Sequence, residues 1–488
     1  MKPAVRLAAA GAAGLLAVAG FAPLGLFPLP LLSLATLLWL TDRCAPRAAA
    51  LTGFVFGLGW FLGGVSWVHV SLHDFGGMPM VISLLATFLF CVYLSFFPAA
   101  ACAAQCWLRP GRVLYAPLFA GLWALTEWLR GTLLTGFPWL ASGYAHAPPS
   151  PLAGYVPVFG VHGAGWVAAL IAALLAAAAL QRVTWRPAVV WLVALLAGGA
   201  LLGAVRWTEP TDRTLTVSLL QGNVPQSLKW VPERLPDSMQ TYLELARTWP
   251  ADLVVLPETA IPVPYDEIDP AWLAEVQRTG RDVLMGAITI GRDGDGTARY
   301  FNSAVALGRD DARYSKSHLV AFGEFTPPLF AWTLSLLSIP MSDFGRGAAV
   351  QPPLDLAGEK VAVNICYEDV FGEELIAAAR DATLLVNVSN TAWFGDSLAQ
   401  PQHLQIAQLR ALEMGRPMLR ATNTGMTAAI GADGRIIAAL PPFQRAGLRV
   451  ELSGNQGLTP FMRWGNAPVV ICALLLIGAA MVRRKASR

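Results

Sequence analysis

The stretch VAVNICYEDVFGEELIAAARDATLLVNVSN, residues 361–390, decides the class of fold in the polar part of this chain. It begins with an apolar run, continues with a helical segment over 371–381, and ends with a second apolar run over 382–390. Apolar strands that alternate with helices are typical of α/β domains, whose sheets are buried by helices. The stretch therefore predicts a strand, a helix and a strand in an α/β domain.

The same alternation extends to both sides of this stretch. It predicts three further strands (214–223, 251–258 and 282–290), three helices (233–249, 270–280 and 403–416) and a hairpin (300–319). Side chains that carry chemistry in such folds gather at the carboxyl ends of strands. Cys366, Glu258 and the segment from Asn387 to Asn390 lie at such strand ends, so we expect them near one site.

The composition of the whole chain indicates a membrane protein. Of its 488 residues, 55% are hydrophobic and only 14% are charged, against about 25% charged in an ordinary soluble protein. Eight apolar runs are long enough to cross about 30 Å of hydrocarbon, at roughly 5–22, 24–41, 50–70, 80–106, 113–133, 160–180, 187–205 and 467–482. We therefore expect a seven-helix membrane domain over 1–206, an α/β domain over 207–465, and a C-terminal span and tail over 466–488.

Basic residues predict the orientation of these spans. Short loops that carry Lys and Arg stay in the cytoplasm, and one face of the predicted membrane domain carries Lys2, Arg6, Arg43, Arg47, Arg109, Arg112, Arg182, Arg186 and the C-terminal cluster from Arg483 to Arg488. Both termini are therefore expected in the cytoplasm and the α/β domain on the outer side. These anchoring residues explain the net charge of +3, which gives no reason to expect a nucleic-acid partner.

Cys366 is the one cysteine of six that falls in the predicted α/β domain, so it has no disulfide partner there. A thiol is mostly protonated at neutral pH and needs a base or a nearby cation in order to react. Glu258 is a candidate base because apolar residues and prolines follow it, and Lys316 is a candidate cation. A packed thiol, a helix-terminal acid and a surface lysine are the alternative interpretations. Another alternative pairs Cys366 with His318 or His403.

Three motifs resemble, in order, those of the nitrilase or carbon-nitrogen hydrolase superfamily: LPETA with Glu258, SKSHLVAFGEFTP with Lys316 and Glu324, and NICYEDVF with Cys366. The segments TGFPWL, QGNVPQSLKW and VNVSNTAWFGDS, together with the predicted spans, are similar to the apolipoprotein N-acyltransferases, a bacterial membrane family of that superfamily. This resemblance covers essentially the whole chain. It implies a nitrilase-like αββα sandwich for the α/β domain.

The resemblance also implies a reaction and its partners. Cys366 would take an acyl chain from a phospholipid donor, at the sn-1 position of phosphatidylethanolamine, as a thioester. The α-amine of a diacylglyceryl apolipoprotein acceptor would then receive this chain as an amide. The family is embedded in the bilayer of the bacterial inner membrane, with its catalytic domain in the periplasm, and it implies no cofactor and no metal.

The family pattern assigns a role to each matching residue. Glu258 corresponds to the base, Lys316 and the backbone N–H of Tyr367 to the groups that stabilise the oxyanion, and Glu324 to the carboxylate that orients the lysine. Glu368 falls on a position associated with activity, where it would position neighbouring groups or the incoming amine.

Four aromatic residues are candidates for a lining that binds acyl chains and excludes water, namely Trp230, Trp393, Phe137 and Trp139. Simple anchoring at the membrane interface is the alternative interpretation. Two other functions stay open at this point: a membrane-anchored amidase or nitrilase-type hydrolase, and a transporter or receptor. Transporters usually place ionisable residues within their spans, and the spans here contain few, with Glu127 the clearest.

Overall fold

The computed structural model describes residues 1–292, 296–308, 312–326 and 344–486 of the chain. These residues form two compact units. The helical unit comprises Met1–His69, Val81–Arg206 and Thr459–Arg488, and the α/β unit comprises Val70–Met80 and Trp207–Leu458.

The helical unit contains one helix at each of the eight apolar runs, namely Pro3–Val18, Pro28–Thr41, Pro46–Val65, Met80–Leu108, Arg112–Arg130, Val156–Ala179, Trp185–Gly203 and Ala467–Ala486. Among the described residues, five helical stretches have the length and apolar composition needed to cross a membrane: Pro46–Val65, Met80–Leu108, Pro151–Ala179, Trp185–Gly203 and Ala467–Ala486. Pro3–Val18 and Pro28–Thr41 are apolar but shorter. The membrane character is confirmed, whereas the number of eight spans stays a prediction.

Large apolar side chains on the surface of this unit suit a lipid environment. Val81 is 78% exposed, and Leu85, Val190, Trp191 and Leu475 are all more than half exposed. An apolar surface of this kind would be unfavourable in water, but it matches the hydrocarbon core of a bilayer.

The α/β unit is built on two six-stranded sheets. The first contains β1 (Glu209–Gln221), β2 (Ala251–Leu256), β3 (Gly280–Arg292), β4 (Ala298–Ala306), β5 (Arg313–Ser315) and β12 (Ala446–Gln456), in the order β12-β1-β2-β3-β4-β5. The second contains β6 (Leu354–Leu356), β7 (Glu359–Ile365), β8 (Leu384–Ser389), β9 (Met418–Thr422), β10 (Ala428–Ile430) and β11 (Ile436–Ala439), in the order β11-β10-β9-β8-β7-β6. The central strands β1, β2 and β3 are parallel, as are β7, β8 and β9, whereas the outer strands are antiparallel.

The two sheets pack face to face through alternate side chains of their strands. Val217 and Leu219 of β1 share one buried cluster with Val386 and Val388 of β8, and full burial of each such side chain contributes about 1.5–3 kcal/mol. The other faces of the sheets carry helices: Leu235–Thr248 and Pro270–Gln277 on the first sheet, Gly372–Asp381 and Ala399–Met414 on the second. The expected helix-sheet-sheet-helix layering is therefore confirmed.

This layering brings several strand ends to one place. Parallel strands of one sheet end at the same edge, and β7 and β8 end at Ile365 and Ser389, directly before Cys366 and Asn390. In the facing sheet, β2 ends at Leu256, two residues before Glu258. The contacts described below show that these strand ends meet.

Candidate active site

Cys366 begins a tight turn at the end of β7. It is the first residue of the 3₁₀ turn Cys366–Val370, and its φ of +54° lies in the left-handed region, which costs a non-glycine residue about 1–3 kcal/mol. Two hydrogen bonds hold this turn: Asn387 Nδ2 donates to the carbonyl of Cys366 at 3.1 Å, and the N–H of Ile365 donates to the Glu368 carboxylate at 2.7 Å. The fold therefore holds the thiol in a fixed, strained conformation.

Glu258 is buried beyond the end of β2 and has a fixed carboxylate. Its Oε1 accepts a hydrogen bond from Asn302 Nδ2 at 2.7 Å, and its Oε2 accepts one from the backbone N–H of Asn390 at 2.7 Å. Lys316 Nζ lies 3.7 Å from Oε1. Because Asn390 follows β8 and Asn302 lies on β4, the carboxylate is held by both sheets at once.

Lys316 is 1% exposed and follows β5 directly. Its Nζ donates to Glu324 Oε1 at 2.9 Å and lies 2.8 Å from Oε2. Asn302 Nδ2 also donates to Glu324 Oε1, at 2.8 Å, so that one amide links the carboxylates of Glu258 and Glu324. The structure thus brings together Glu258, Lys316 and Glu324, which the sequence places up to 66 residues apart.

Electrostatic interactions connect Cys366 to the same cluster. Burial raises the pKa of the Cys366 thiol, as does the negative charge of Glu258, while Lys316 opposes this effect. Burial lowers the pKa of Lys316, but the negative groups Glu324, Glu258 and Cys366 outweigh burial and hold the pKa above its ordinary value. The surrounding groups therefore favour a cationic Lys316 and a protonated Cys366 thiol close to Glu258.

A second buried lysine lies in this cluster. Lys229 ends the short helix Gln226–Lys229, is 3% exposed, and donates from Nζ to the backbone carbonyl of Glu258 at 3.2 Å. Burial lowers the pKa of Lys229 to about 8, although the charges of Glu258 and Cys366 act in the opposite direction. Gln226 anchors the same helix by accepting from Asn390 Nδ2 at 2.8 Å.

Glu368 connects the Cys366 turn to the segment that carries Lys316. Its carboxylate accepts hydrogen bonds from the backbone N–H groups of Ile365, Ser317 and His318 and from the hydroxyls of Tyr314 and Ser317, all at 2.7–3.0 Å. Burial raises the pKa of Glu368 above its ordinary value, although hydrogen bonds from backbone N–H groups and the charge of Lys316 partly oppose this effect. All five partners donate, so the structure uses Glu368 as an acceptor that joins two segments.

The ring nitrogens of the two histidines considered as partners of Cys366 lie close to other side chains. His403 Nδ1 accepts from Arg420 at 2.8 Å, and its Nε2 lies 2.7 Å from Asp369 Oδ1. His318 Nδ1 lies 2.9 Å from the Glu374 carboxylate. Because the Nδ1 lone pair of His403 receives the N–H of Arg420, this ring is poorly suited to accept the thiol proton, and the geometry favours Glu258 as the base.

The candidate lining residues fall in both units. In the α/β unit, Trp230 and Trp393 are partly exposed, and Trp393 packs against Phe75 with ring centres 5.9 Å apart. In the helical unit, Phe137 stacks on Trp139 at 6.3 Å, and Trp139 is fully buried. The assignment of these four residues to an acyl site stays a prediction.

Asn390 lies in the cluster, as expected for the segment from Asn387 to Asn390 at the end of a predicted strand. Asn302 and Lys229 also join the cluster, although the sequence did not assign them to it; Lys229 lies in the quoted segment QGNVPQSLKW. Asn302 carries no local signal, because only the pairing of β4 with β3 brings it here. Across the described ranges, no group of three His, Cys, Asp or Glu side chains is placed to hold a metal ion.

Residues 216–453, which contain Glu258, Lys316 and Cys366, match the family model described as "Carbon-nitrogen hydrolase", so the α/β unit belongs to that class. The model described as "Apolipoprotein N-acyltransferase N-terminal domain" matches residues 13–174. The chain belongs to the apolipoprotein N-acyltransferase family and is an N-acyltransferase.

Relatives carry this family name over nearly their whole length. The apolipoprotein N-acyltransferase of Nitrosomonas europaea is 48% identical, with 97% of each chain covered. That of Ralstonia nicotianae is 46% identical, with 97% of this chain and 92% of the relative covered. That of Chromobacterium violaceum is 45% identical, with 99% of this chain and 95% of the relative covered.

Proposed function

We propose that the protein moves an acyl chain from a phospholipid, at the sn-1 position of phosphatidylethanolamine, to the α-amine of the diacylglyceryl-cysteine of an apolipoprotein. The observation that carries this proposal is the buried cluster of Glu258, Lys316 and Glu324 around the Cys366 turn. Membership in the family supports the same reaction. The apolar helices make the chain a membrane protein, and both proposed lipid substrates are concentrated at the membrane, which favours their reaction.

In the first step, Cys366 attacks the carbonyl carbon of the lipid ester. The S–H bond breaks as Glu258 takes the proton, and a C–S bond forms. Lys316 and the backbone N–H of Tyr367 stabilise the oxyanion of the tetrahedral intermediate, as preorganised donors do in other acyl transfers. The intermediate collapses when the C–O bond breaks, Glu258 returns its proton to the leaving alkoxide, and a lysophospholipid departs.

In the second step, the free amine attacks the Cys366 thioester. Glu258 accepts a proton from the attacking nitrogen, the C–N bond forms, and the C–S bond breaks. Protonation of the departing thiolate by Glu258 restores the resting site and releases the N-acylated product. Glu324 takes part indirectly, because its ion pair at 2.8 Å fixes the position of the Lys316 ammonium.

We further propose that the α/β unit works in the periplasm and that both termini are cytoplasmic. The arginine and lysine asymmetry of the short loops supports this orientation. A free thiol such as Cys366 is compatible with an oxidising compartment because no second cysteine of residues 207–465 is available to pair with it.

Mass spectrometry of a lipoprotein N-terminus tests the proposed function. In cells that contain the protein, the N-terminal peptide should carry a third acyl chain in amide linkage, and depletion of the protein should leave the diacyl form with a free amine. Free fatty acid released from phospholipid, without any N-acylated peptide, would instead indicate a hydrolase that passes the acyl group to water.

A further inference from the structure

The charges in the cluster are unbalanced if Lys316 is taken as its only cation. Glu258 and Glu324 are both carboxylates within 4 Å of Lys316 Nζ, and the thiolate that forms at Cys366 takes over the negative charge that Glu258 loses when it is protonated. Arg420 also acts on Cys366, but its guanidinium is paired with Asp369 at 2.6 Å. Buried charges without a counter-charge are costly, so a further cation is expected in this cluster.

Lys229 has the position that such a cation requires. Its side chain is buried, and its Nζ is fixed by a hydrogen bond to the backbone carbonyl of Glu258 at 3.2 Å. An ammonium group has three donors, and in the described parts of the chain only this one acceptor binds it. Two donors therefore stay available beside two titratable groups, Glu258 and Cys366, which both act on Lys229.

We propose that Lys229 is a second cation of the catalytic site, which together with Lys316 balances two negative charges, one on Glu324 and one that moves from Glu258 to the Cys366 thiolate. This inference rests on the proposed role of Cys366 as the nucleophile. When the thiol proton passes to Glu258, negative charge leaves the carboxylate and appears on sulfur. Because Lys229 interacts with both groups, its ammonium has an anionic neighbour before and after the transfer. Lys229 is therefore a positioning residue that acts through Glu258 and Cys366.

The reactivity of Cys366 toward iodoacetamide tests this proposal without lipid or acceptor, so its result is independent of the proposed acyl transfer. The purified full-length protein is treated from pH 6 to pH 10, and the alkylated Cys366 peptide is quantified by mass spectrometry, which separates it from the other five cysteines. The variants are Lys229→Met, which keeps the length of the side chain, and Lys229→Arg, which keeps the charge. Lys360→Met removes an exposed lysine of β7 and is the matched control.

At pH 6–7, where Lys229 carries its charge, Lys229→Met should slow the alkylation of Cys366 about tenfold, and this difference should shrink above pH 8, where the wild-type lysine loses its proton. Lys229→Arg should keep most of the wild-type reactivity, and Lys360→Met should keep all of it. A Lys229→Met profile that superimposes on the wild-type profile would overturn the proposal. So would equal losses in Lys229→Met and Lys229→Arg, or a loss in Lys229→Met that is accompanied by a lower melting temperature, since these results indicate a packing role.

Discussion

Replacement of Lys229 by Met should stabilise the folded protein at neutral pH. Burial lowers the pKa of Lys229 from its ordinary value of 10.5 to about 8, which means that the folded state disfavours the charged form. One pKa unit corresponds to 1.36 kcal/mol, so the charge of this buried group costs about 3 kcal/mol of folding free energy at pH 7. Methionine has a similar length and carries no charge, so it avoids this cost, in which desolvation outweighs the attraction of the ammonium to Glu258 and Cys366. It also loses the hydrogen bond to the Glu258 carbonyl, worth about 1 kcal/mol, which leaves a net gain of about 2 kcal/mol.

The difference in unfolding free energy between Lys229→Met and the wild-type protein should depend on pH. Below pH 8 the lysine is protonated in both the folded and the unfolded chain, and the full cost is present. Between pH 8 and pH 10.5 the unfolded chain binds more protons than the folded one, so the wild-type protein gains stability relative to the variant. The advantage of Lys229→Met should therefore be constant up to about pH 8 and disappear by pH 10.5.

Thermal unfolding of the purified full-length protein measures this difference. For a domain of 150–250 residues, 1 kcal/mol shifts the melting temperature by about 2–4 °C, so a net gain of about 2 kcal/mol should raise the melting temperature of the variant by about 4–8 °C at pH 7. Lys360→Met should melt at the wild-type temperature, since Lys360 is exposed. A lower melting temperature for Lys229→Met at pH 7, or a difference that does not change with pH, would refute this reasoning.

Three further predictions concern the support of the site and the orientation of the chain. Asn302→Leu removes the amide that donates to both Glu258 and Glu324. It should lower the free energy of unfolding by about 1–3 kcal/mol and remove most of the acylation activity. Turnover at the wild-type rate would show that the reaction does not need this amide. Glu368→Gln removes the negative charge that accepts hydrogen bonds from five donor groups. It should therefore lower the free energy of unfolding by about 3 kcal/mol and lower the melting temperature. An unchanged melting temperature would show that Glu368 does not hold the Cys366 turn and the Lys316 segment together. Reporters fused after residues 206 and 488 should report the periplasm and the cytoplasm, respectively, and a cytoplasmic signal from the first would reverse the topology.

Most of the buried parallel strands of the α/β unit were predictable from sequence, but β9 was missed because Arg420 interrupts its apolar residues. β2, β7 and β8 are short apolar runs followed by polar residues, and a strand buried on both faces needs such a run. β11 was not predicted, because it has only four residues and lies at the edge of its sheet. Three of the four are exposed, so the strand lacks the alternation of apolar and polar residues that marks a half-buried strand. β12 was also missed, since it pairs with β1, more than 200 residues away, and its own sequence carries no signal of that pairing.

The site shows the same division between local and long-range information. Cys366 and Glu258 were found because each follows a predicted strand, and chemistry collects at strand ends. Asn302 and Lys229 were not assigned, because an amide and a lysine have no distinctive spacing of their own. Only the folded chain shows that Asn302 Nδ2 contacts two carboxylates and that Lys229 Nζ lies on the Glu258 carbonyl.

The most direct test of the central claim is the mass of the Cys366 peptide after the purified protein is incubated with phospholipid alone. Without an acceptor amine, the acyl-enzyme should accumulate, so the peptide should gain the mass of one acyl chain in a bond that neutral hydroxylamine cleaves, as it cleaves thioesters. Addition of a diacylglyceryl peptide with a free α-amine should discharge this adduct and yield the N-acyl peptide, and Cys366→Ser should form no adduct. Full acyl transfer by the Cys366→Ser variant, or by wild-type protein that never acquires the adduct, would contradict the account.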